Sequence, residues 1–295
     1  MTGRGVGNNA PMTLSFFTSR GDDLLPTDLA RSLWSEDQMH GVALSGALAR
    51  ALERRVAELG RDDLRPARYT VDLFRPAAME LCRTTTRVVR EGRRLCLVDA
   101  TVEQDGQRVA RASALFLKVS DPVAGSVWEP TGAPDVPPLE LAPPTEKLRV
   151  PLFASDGVWD ESFAAHQNDG HKTTWQVGVP VVPEEAPSPF VVAASVADST
   201  SMVTNWGSNG VEHINTDITM VLARLPVGRE VGLSATDRVN HDGIAVGTAT
   251  VFDRQGRIGT TVVSSIANAE RAVDFEVHDF NGDSRNPRFG RSSGA

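Results

Sequence analysis

The sequence predicts an α+β protein of two similar halves, each a helix packed on an antiparallel sheet. Three observations carry that prediction. A run of β-rich segments and turns recurs, in the same order, about 150 residues downstream. A helix candidate precedes the β-rich runs in each half. A proline-rich stretch separates the two.

The repeat is clearest in two hairpin segments. RVVREGRRLCLVDATVEQDGQRVARASALF (87–116) and DRVNHDGIAVGTATVFDRQGRIGTTVVSSI (237–266) each begin with a β-rich run and an acidic-Gly turn. A second turn follows, Asp105-Gly106 in one and Gln255-Gly256 in the other, 150 residues apart. Both are read as hairpin turns, where glycine reaches positive φ without steric cost. Upstream, YTVDLFR and ITMVLAR each run into a proline, Pro76 and Pro226, at a strand end where a missing N–H does least harm.

In chain order, residues 1–15 are Gly- and Asn-rich and read as a flexible N-terminus. The first repeat spans 16–120. Within it Val42, Ser45, Leu48, Ala49, Leu52, Val56 and Leu59 recur at three- and four-residue steps on one helix face. Arg50, Glu53, Arg54 and Glu58 occupy the other, and Gly60 is a stop signal. Residues 121–151 hold eight prolines, too many for a helix or a central strand, and read as an extended surface linker. The second repeat spans 152–270. There Asp198 is expected to N-cap a short helix from Ser199 to Trp206, ended by Gly207, with Met202, Val203 and Trp206 inward. Residues 281–295 are polar and read as a disordered tail.

Bulk properties exclude several classes. The net charge is −8 with scattered basic residues, against a nucleic-acid surface. The apolar run 190–197 is far short of the roughly 20 residues that span a bilayer, and no signal peptide is visible, so a cytoplasmic protein is expected. A hairpin closed at Glu91-Gly92 would place Cys82 opposite the neighbourhood of Thr101, away from Cys96, so both thiols are read as reduced and structural. His166 and His171 lack the further ligands of a zinc site; no metal or cofactor is expected. The arginines at 90, 93 and 94 read as a solvated hairpin end or a contact for coenzyme A phosphates.

Trp34, HGVALSGALARAL (40–52), YTVDLFRPA (69–77), VVAASVADSTSM (191–202) and INTDITMVLARLP (214–226) together resemble the double hotdog acyl-CoA thioesterases, including bacterial acyl-CoA thioesterase II. The resemblance covers roughly residues 16–269. It implies two hotdog repeats, an acyl-CoA substrate, no cofactor, and leaves pairing of chains into a homo-oligomer open. It places the family's catalytic aspartate on Asp198, in a strand-to-helix segment. The threonine two residues before a second aspartate falls on Asn215, with that aspartate on Asp217, and the glutamine near the end of the last strand falls on Ser264. The site it implies lies between the halves, with His40 and Gly41 at the substrate.

Thioester hydrolysis needs a water activated beside the carbonyl and a donor for the oxyanion. Asp198 suits the first task and a helix N-terminus the second. Asn215 and Ser264, in place of threonine and glutamine, leave a second reading: a non-catalytic acyl-CoA or acyl-lipid binding protein on the same fold. A hydratase is weaker, since the residue five beyond Asp198 is Val203 rather than histidine.

Overall fold

The computed structural model describes residues 14–276. The expected tail, 281–295, lies outside the described residues, and so does the N-terminal segment apart from Leu14 and Ser15.

The first half opens with a hairpin of β1 (Phe17–Arg20) and β2 (Asp23–Pro26), followed by α1 (Gly41–Glu58). Four strands follow: β3 (Leu64–Leu73), β4 (Arg83–Gly92), β5 (Leu95–Gln104) and β6 (Gln107–Lys118). The second half begins with β7 (Leu152–Ser155), β8 (Val158–Asp160) and β9 (Lys172–Val177). Two helices come next, α2 (Pro189–Ala197) and α3 (Thr200–Asn205), then the two-residue strands β10 (Trp206–Gly207) and β11 (Gly210–Val211). The chain closes with β12 (His213–Asn215), β13 (Asp217–Leu222), β14 (Glu230–His241), β15 (Ile244–Asp253) and β16 (Gly256–Ala267).

Twelve of these strands form one antiparallel sheet in the order β4-β5-β6-β3-β13-β16-β15-β14-β9-β7-β8, with β12 also on β16. The order mirrors itself about the β3–β13 junction: four strands of one half answer four of the other. At that junction Thr70 pairs with Thr219 in register. Their hydroxyls are 3.3 Å apart and the two residues are 149 positions apart in sequence. They mark a pseudo-two-fold axis.

The structural spacing of the strands is therefore 149, one less than the turns suggest. The Asp105-Gly106 turn, with φ of 48° and 71°, matches Arg254-Gln255, and Gly256 is the first residue of β16, with φ of 114°. The glycine thus marks the residue after the second turn, not the turn itself. The first hairpin likewise reverses at Arg93-Arg94, because Gly92 still belongs to β4, paired with Leu95. Cys82 consequently lies beside Gln104, whose Nε2 is 3.5 Å from Sγ, rather than near Thr101. Both thiols are free and buried, and burial pushes Cys82 up to about 12.

Strand alternation sets one face toward the helices. In β5 (LCLVDATVEQ), Cys96, Val98, Ala100 and Val102 are buried and their neighbours less so. Onto this face α1 lays Leu44, Leu48, Leu52 and Val56, four residues apart, and packs its other side on α2. The two helices approach closely because small residues line the contact. Ser45 Oγ donates to Ala194 O at 2.6 Å, and a Cβ on Gly46 would stand 2.5 Å from Ser195 Oγ. Gly60, at φ 69°, terminates α1 as expected.

The expected short helix is present as α3, with Ser199 rather than Asp198 at its N-cap position, but a helix the sequence did not show precedes it. That helix, α2, starts at Pro189 with Ser188 as its cap: Oγ accepts from Val191 N–H at 3.1 Å. The reason is burial on all sides. Every residue from Phe190 to Ala197 is buried between sheet and α1, so no 3.6-residue alternation marks the segment as a helix. The segment 191–202 is accordingly helix to helix rather than strand to helix. Val203 and Trp206 are buried and Met202 partly so, as the sequence implies.

The proline-rich linker forms neither helix nor strand, but it is pinned to the second half. Arg254 donates to Pro137 O at 3.2 Å, and Arg229 donates to Glu146 O at 3.0 Å. Ala142 is fully buried beside Leu152, Trp175 and Phe252. Among the described residues, no helix is long and apolar enough to cross a membrane.

Candidate active site

Asp198 ends α2 and begins a tight turn into α3. Its N–H donates to Ser195 O, and the N–H of Ser199 to Val196 O at 2.9 Å, so three-residue spacing replaces the α-helical ladder for one turn. This break projects the Asp198 carboxylate out of its own helix. Asp198 is therefore a C-terminal cap residue, contrary to the N-cap expectation.

The helix N-terminus beside the carboxylate belongs to the other half. The Asp198 carboxylate lies against Gly41 at the start of α1, where the backbone N–H of Val42 lowers its proton affinity. The first N–H groups of a helix have no intrahelical acceptor and form the positive end of its dipole. Asn215 supplies a second donor, Nδ2 to Asp198 Oδ1 at 3.1 Å. Burial pushes Asp198 up to about 6, against the downward pull of Asn215 and of the Val42 N–H. Part of the residue stays accessible, so dense packing removes most of its water without sealing it.

Gly41 makes this approach possible. A Cβ there would stand 2.6 Å from Cγ of Asp198. His40 caps α1: Nδ1 accepts from Ala43 N–H at 3.0 Å while Nε2–H donates to Leu29 O at 2.7 Å. Both ring nitrogens are thus engaged, and the imidazole holds the helix start in place rather than facing a substrate as a free base.

The three family positions do not converge. Asn215 lies opposite Ser265 on β16, and Ser265 faces the helices, accepting from Asn205 Nδ2 at 3.0 Å. Ser264, one residue earlier, points to the other face of the sheet. A bulge at Thr216 separates Asn215 from Asp217, which would otherwise share a face two residues apart. Thr216 N–H donates to Ser264 O at 2.9 Å, and Ser264 N–H donates to the Asp217 carboxylate at 2.8 Å. The structure brings together Asp198, Asn215, Gly41 and the Val42 N–H, with His40 beneath them. It sets Ser264 and Asp217 on the far side.

Sequence reasoning placed Val42 only on the packing face of the helix; its influence on Asp198 is through a backbone N–H, which leaves no trace in residue type. It also missed Ser265; the bulge that selects it has no glycine or proline to announce it. Two cavities, of about 230 and 330 Å³, lie along the C-terminal half of α1, and Asp198 lines neither.

With this geometry in hand, the comparisons with known proteins are direct. The family model of the acyl-CoA thioesterase N-terminal domain matches residues 30–117, and that of the C-terminal domain matches residues 135–263. The chain belongs to the double hotdog acyl-CoA thioesterases, whose reaction is acyl-CoA thioester hydrolysis. Among solved structures, the tesB protein of Mycobacterium avium subspecies paratuberculosis is similar at 18% identity and a TM-score of 0.59, over 85% of this chain and 94% of that one. Acyl-CoA thioesterase II TesB2 of Mycobacterium marinum is 13% identical with a TM-score of 0.57, covering 78% and 89%. A hot dog protein of Alicyclobacillus acidocaldarius is 16% identical with a TM-score of 0.58, covering 85% and 94%. These likenesses establish the double hotdog fold. No curated protein matches the sequence.

Proposed function

We propose that the chain hydrolyses acyl-CoA through Asp198 as general base, in a site shared between its two halves. The observation that carries this reading is the Asp198 carboxylate seated against Gly41 at the start of α1 and held by Asn215 Nδ2 at 3.1 Å. A carboxylate whose proton leaves near pH 6 is ionised at neutral pH, yet basic enough to accept a proton from water in the transition state.

In this scheme Asp198 takes a proton from water as the water oxygen bonds to the thioester carbon. The carbonyl oxygen becomes an oxyanion at the N-terminal end of α1, where the Gly41 N–H and the helix dipole stabilise it. The tetrahedral adduct collapses by breaking the C–S bond. Asp198 returns the proton to the departing thiolate, leaving a carboxylic acid and free coenzyme A. Asn215 keeps the carboxylate oriented and limits how far burial raises its proton affinity. Ser264 faces away, so it takes part only if the sheet rearranges. The reading carries with it a cytoplasmic place in lipid metabolism, and assembly into a homo-oligomer remains compatible with it.

The test is thiol release across a panel of acyl-CoA chain lengths, with acyl-CoA binding measured alongside by calorimetry. Asp198→Asn should bind as the parent does and lose about 10²–10⁴-fold in turnover. Undiminished release by Asp198→Asn refutes the assignment. Binding by the parent with no release at any chain length makes the protein an acyl-CoA carrier instead.

A further inference from the structure

Two contacts between α1 and α2 are successive rungs of one antiparallel helix pair. Gly41 lies against the Asp198 carboxylate, and one turn further along α1 the Ser45 hydroxyl donates to Ala194 O at 2.6 Å. Ser45 is four residues past Gly41 and Ala194 is four before Asp198, so each pair shares one helix face. Ser45 is fully buried. A serine inside a helix ordinarily bonds the carbonyl four residues back in its own helix. This hydroxyl crosses to the other half of the chain instead.

The acceptor it reaches is the carbonyl that the Asp198 N–H would take if α2 ran on, since each helical N–H bonds four residues back. With Ser45 on that carbonyl, the Asp198 N–H turns to Ser195 O at 3.4 Å, long for an amide bond. The Ser199 N–H follows the same three-residue step, to Val196 O at 2.9 Å. The break that projects the Asp198 carboxylate therefore begins at the carbonyl Ser45 occupies. Two neighbours hold the serine there. A Cβ on Gly46 would stand 2.5 Å from Ser195 Oγ, so its absence lets the helices close to this distance. From the sheet, the Tyr69 hydroxyl donates to Ser45 O at 2.8 Å and lies 3.1 Å from Ser45 Oγ.

We propose that Ser45 is a positioning residue for the hydrolysis: by taking Ala194 O it ends α2 just before Asp198 and aims that carboxylate at the start of α1 and at Asn215. The helix whose N-terminus faces the oxyanion thus also fixes where the base stands, and one hydroxyl couples the two halves of the site. Without that hydroxyl the Asp198 N–H recovers Ala194 O, α2 runs on, and the carboxylate turns with it away from Asn215. The catalytic consequence rests on the reading of Asp198 as general base; the helix break itself does not.

Amide hydrogen exchange and steady-state kinetics of Ser45→Ala in the full chain test this. Loss of a buried hydrogen bond ordinarily loosens its surroundings and speeds exchange. Here the Asp198 amide should exchange about tenfold slower than in the parent, because it gains a four-residue bond in place of a long one. With acyl-CoA as substrate, kcat should fall about 10²-fold while KM stays within about twofold. The acidic limb of the pH profile should move upward, since the carboxylate loses the Asn215 donor. Ser45→Thr keeps a hydroxyl and should return exchange and turnover toward the parent. Unchanged or faster exchange at Asp198 in Ser45→Ala, parent-level kcat in that variant, or a Ser45→Thr protein that behaves like Ser45→Ala overturns the proposal. Parent-level turnover in Asp198→Asn overturns the base reading instead, and exchange, which uses no turnover, then decides the helix break alone.

Discussion

Gly41 and Asp198 meet across the two halves so closely that a methyl group on Gly41 would stand 2.6 Å from the Asp198 Cγ. The missing side chain is what lets the carboxylate reach the start of α1. Gly41→Ala should push the carboxylate off the helix start. The expected stability loss is about 1–3 kcal/mol, typical of overpacking. Turnover should fall about 10²-fold, as when a catalytic group is misplaced by about an ångström. Thermal melts and thiol release measure the two effects separately. Parent-level turnover in a folded Gly41→Ala protein would show that this contact does not position the base.

The pH profile of kcat/KM reports the free protein's base. Asp198, raised by burial to about 6, must be ionised to accept a proton, so the rate should climb through about pH 6 and level off above it. Asn215 lowers that value, so Asn215→Leu should move the limb to higher pH and slow turnover at pH 6 more than at pH 8. A limb near the ordinary aspartate value, unmoved by Asn215→Leu, would mean that another group controls the rate.

The duplication, the first helix with its Gly60 stop, and the Asp198–His40–Gly41 neighbourhood were legible in the sequence. Each rests on a signal that side chains carry: periodicity, a positive-φ glycine, or a family motif. What was not legible depends on packing. Residues 190–197 are buried on all sides and so show no helical period, which hid α2 and turned Asp198 from a C-terminal cap into an apparent N-cap. The bulge at Thr216 uses ordinary strand residues, yet it reverses which neighbour of Asn215 faces the helices. The one-residue error in the repeat arose because Gly256 follows its turn while Gly106 lies within its own.

That bulge makes a discriminating prediction. Ser264 points away from Asp198 and Asn215 contacts it, so Ser264→Gln should leave turnover within about twofold, as expected of a surface substitution. Asn215→Thr removes an amide donor and offers a hydroxyl that can bond the carboxylate or hold a water. It should change turnover and shift the pH limb, whereas Ser264→Gln should do neither. Kinetics of the two single variants and the double variant check this. A gain in the double variant that exceeds the Asn215→Thr effect would show that Ser264 reaches the site in the working protein.

Asp198 also makes a prediction about stability, with its sign fixed by linkage. Its carboxyl has an ordinary value of 3.8 and stands at about 6 in the folded protein. Between those values the folded state binds more protons than the unfolded one, so stability falls as pH rises from about 4 to about 6 and stays reduced above. A shift of about two pH units corresponds to an upper bound on the order of 3 kcal/mol, less whatever its accessible side recovers from water. Asp198→Asn cannot ionise and keeps the shape and an acceptor oxygen for the Asn215 donor. At pH 8 it should melt roughly 5 °C above the parent, while at pH 4 the two should melt together. The same variant should have lost turnover, so the gain in stability and the loss of activity come from one charge. Melting curves at the two pH values decide it: an Asp198→Asn protein no more stable than the parent at pH 8 would show that the buried carboxylate carries no folding cost.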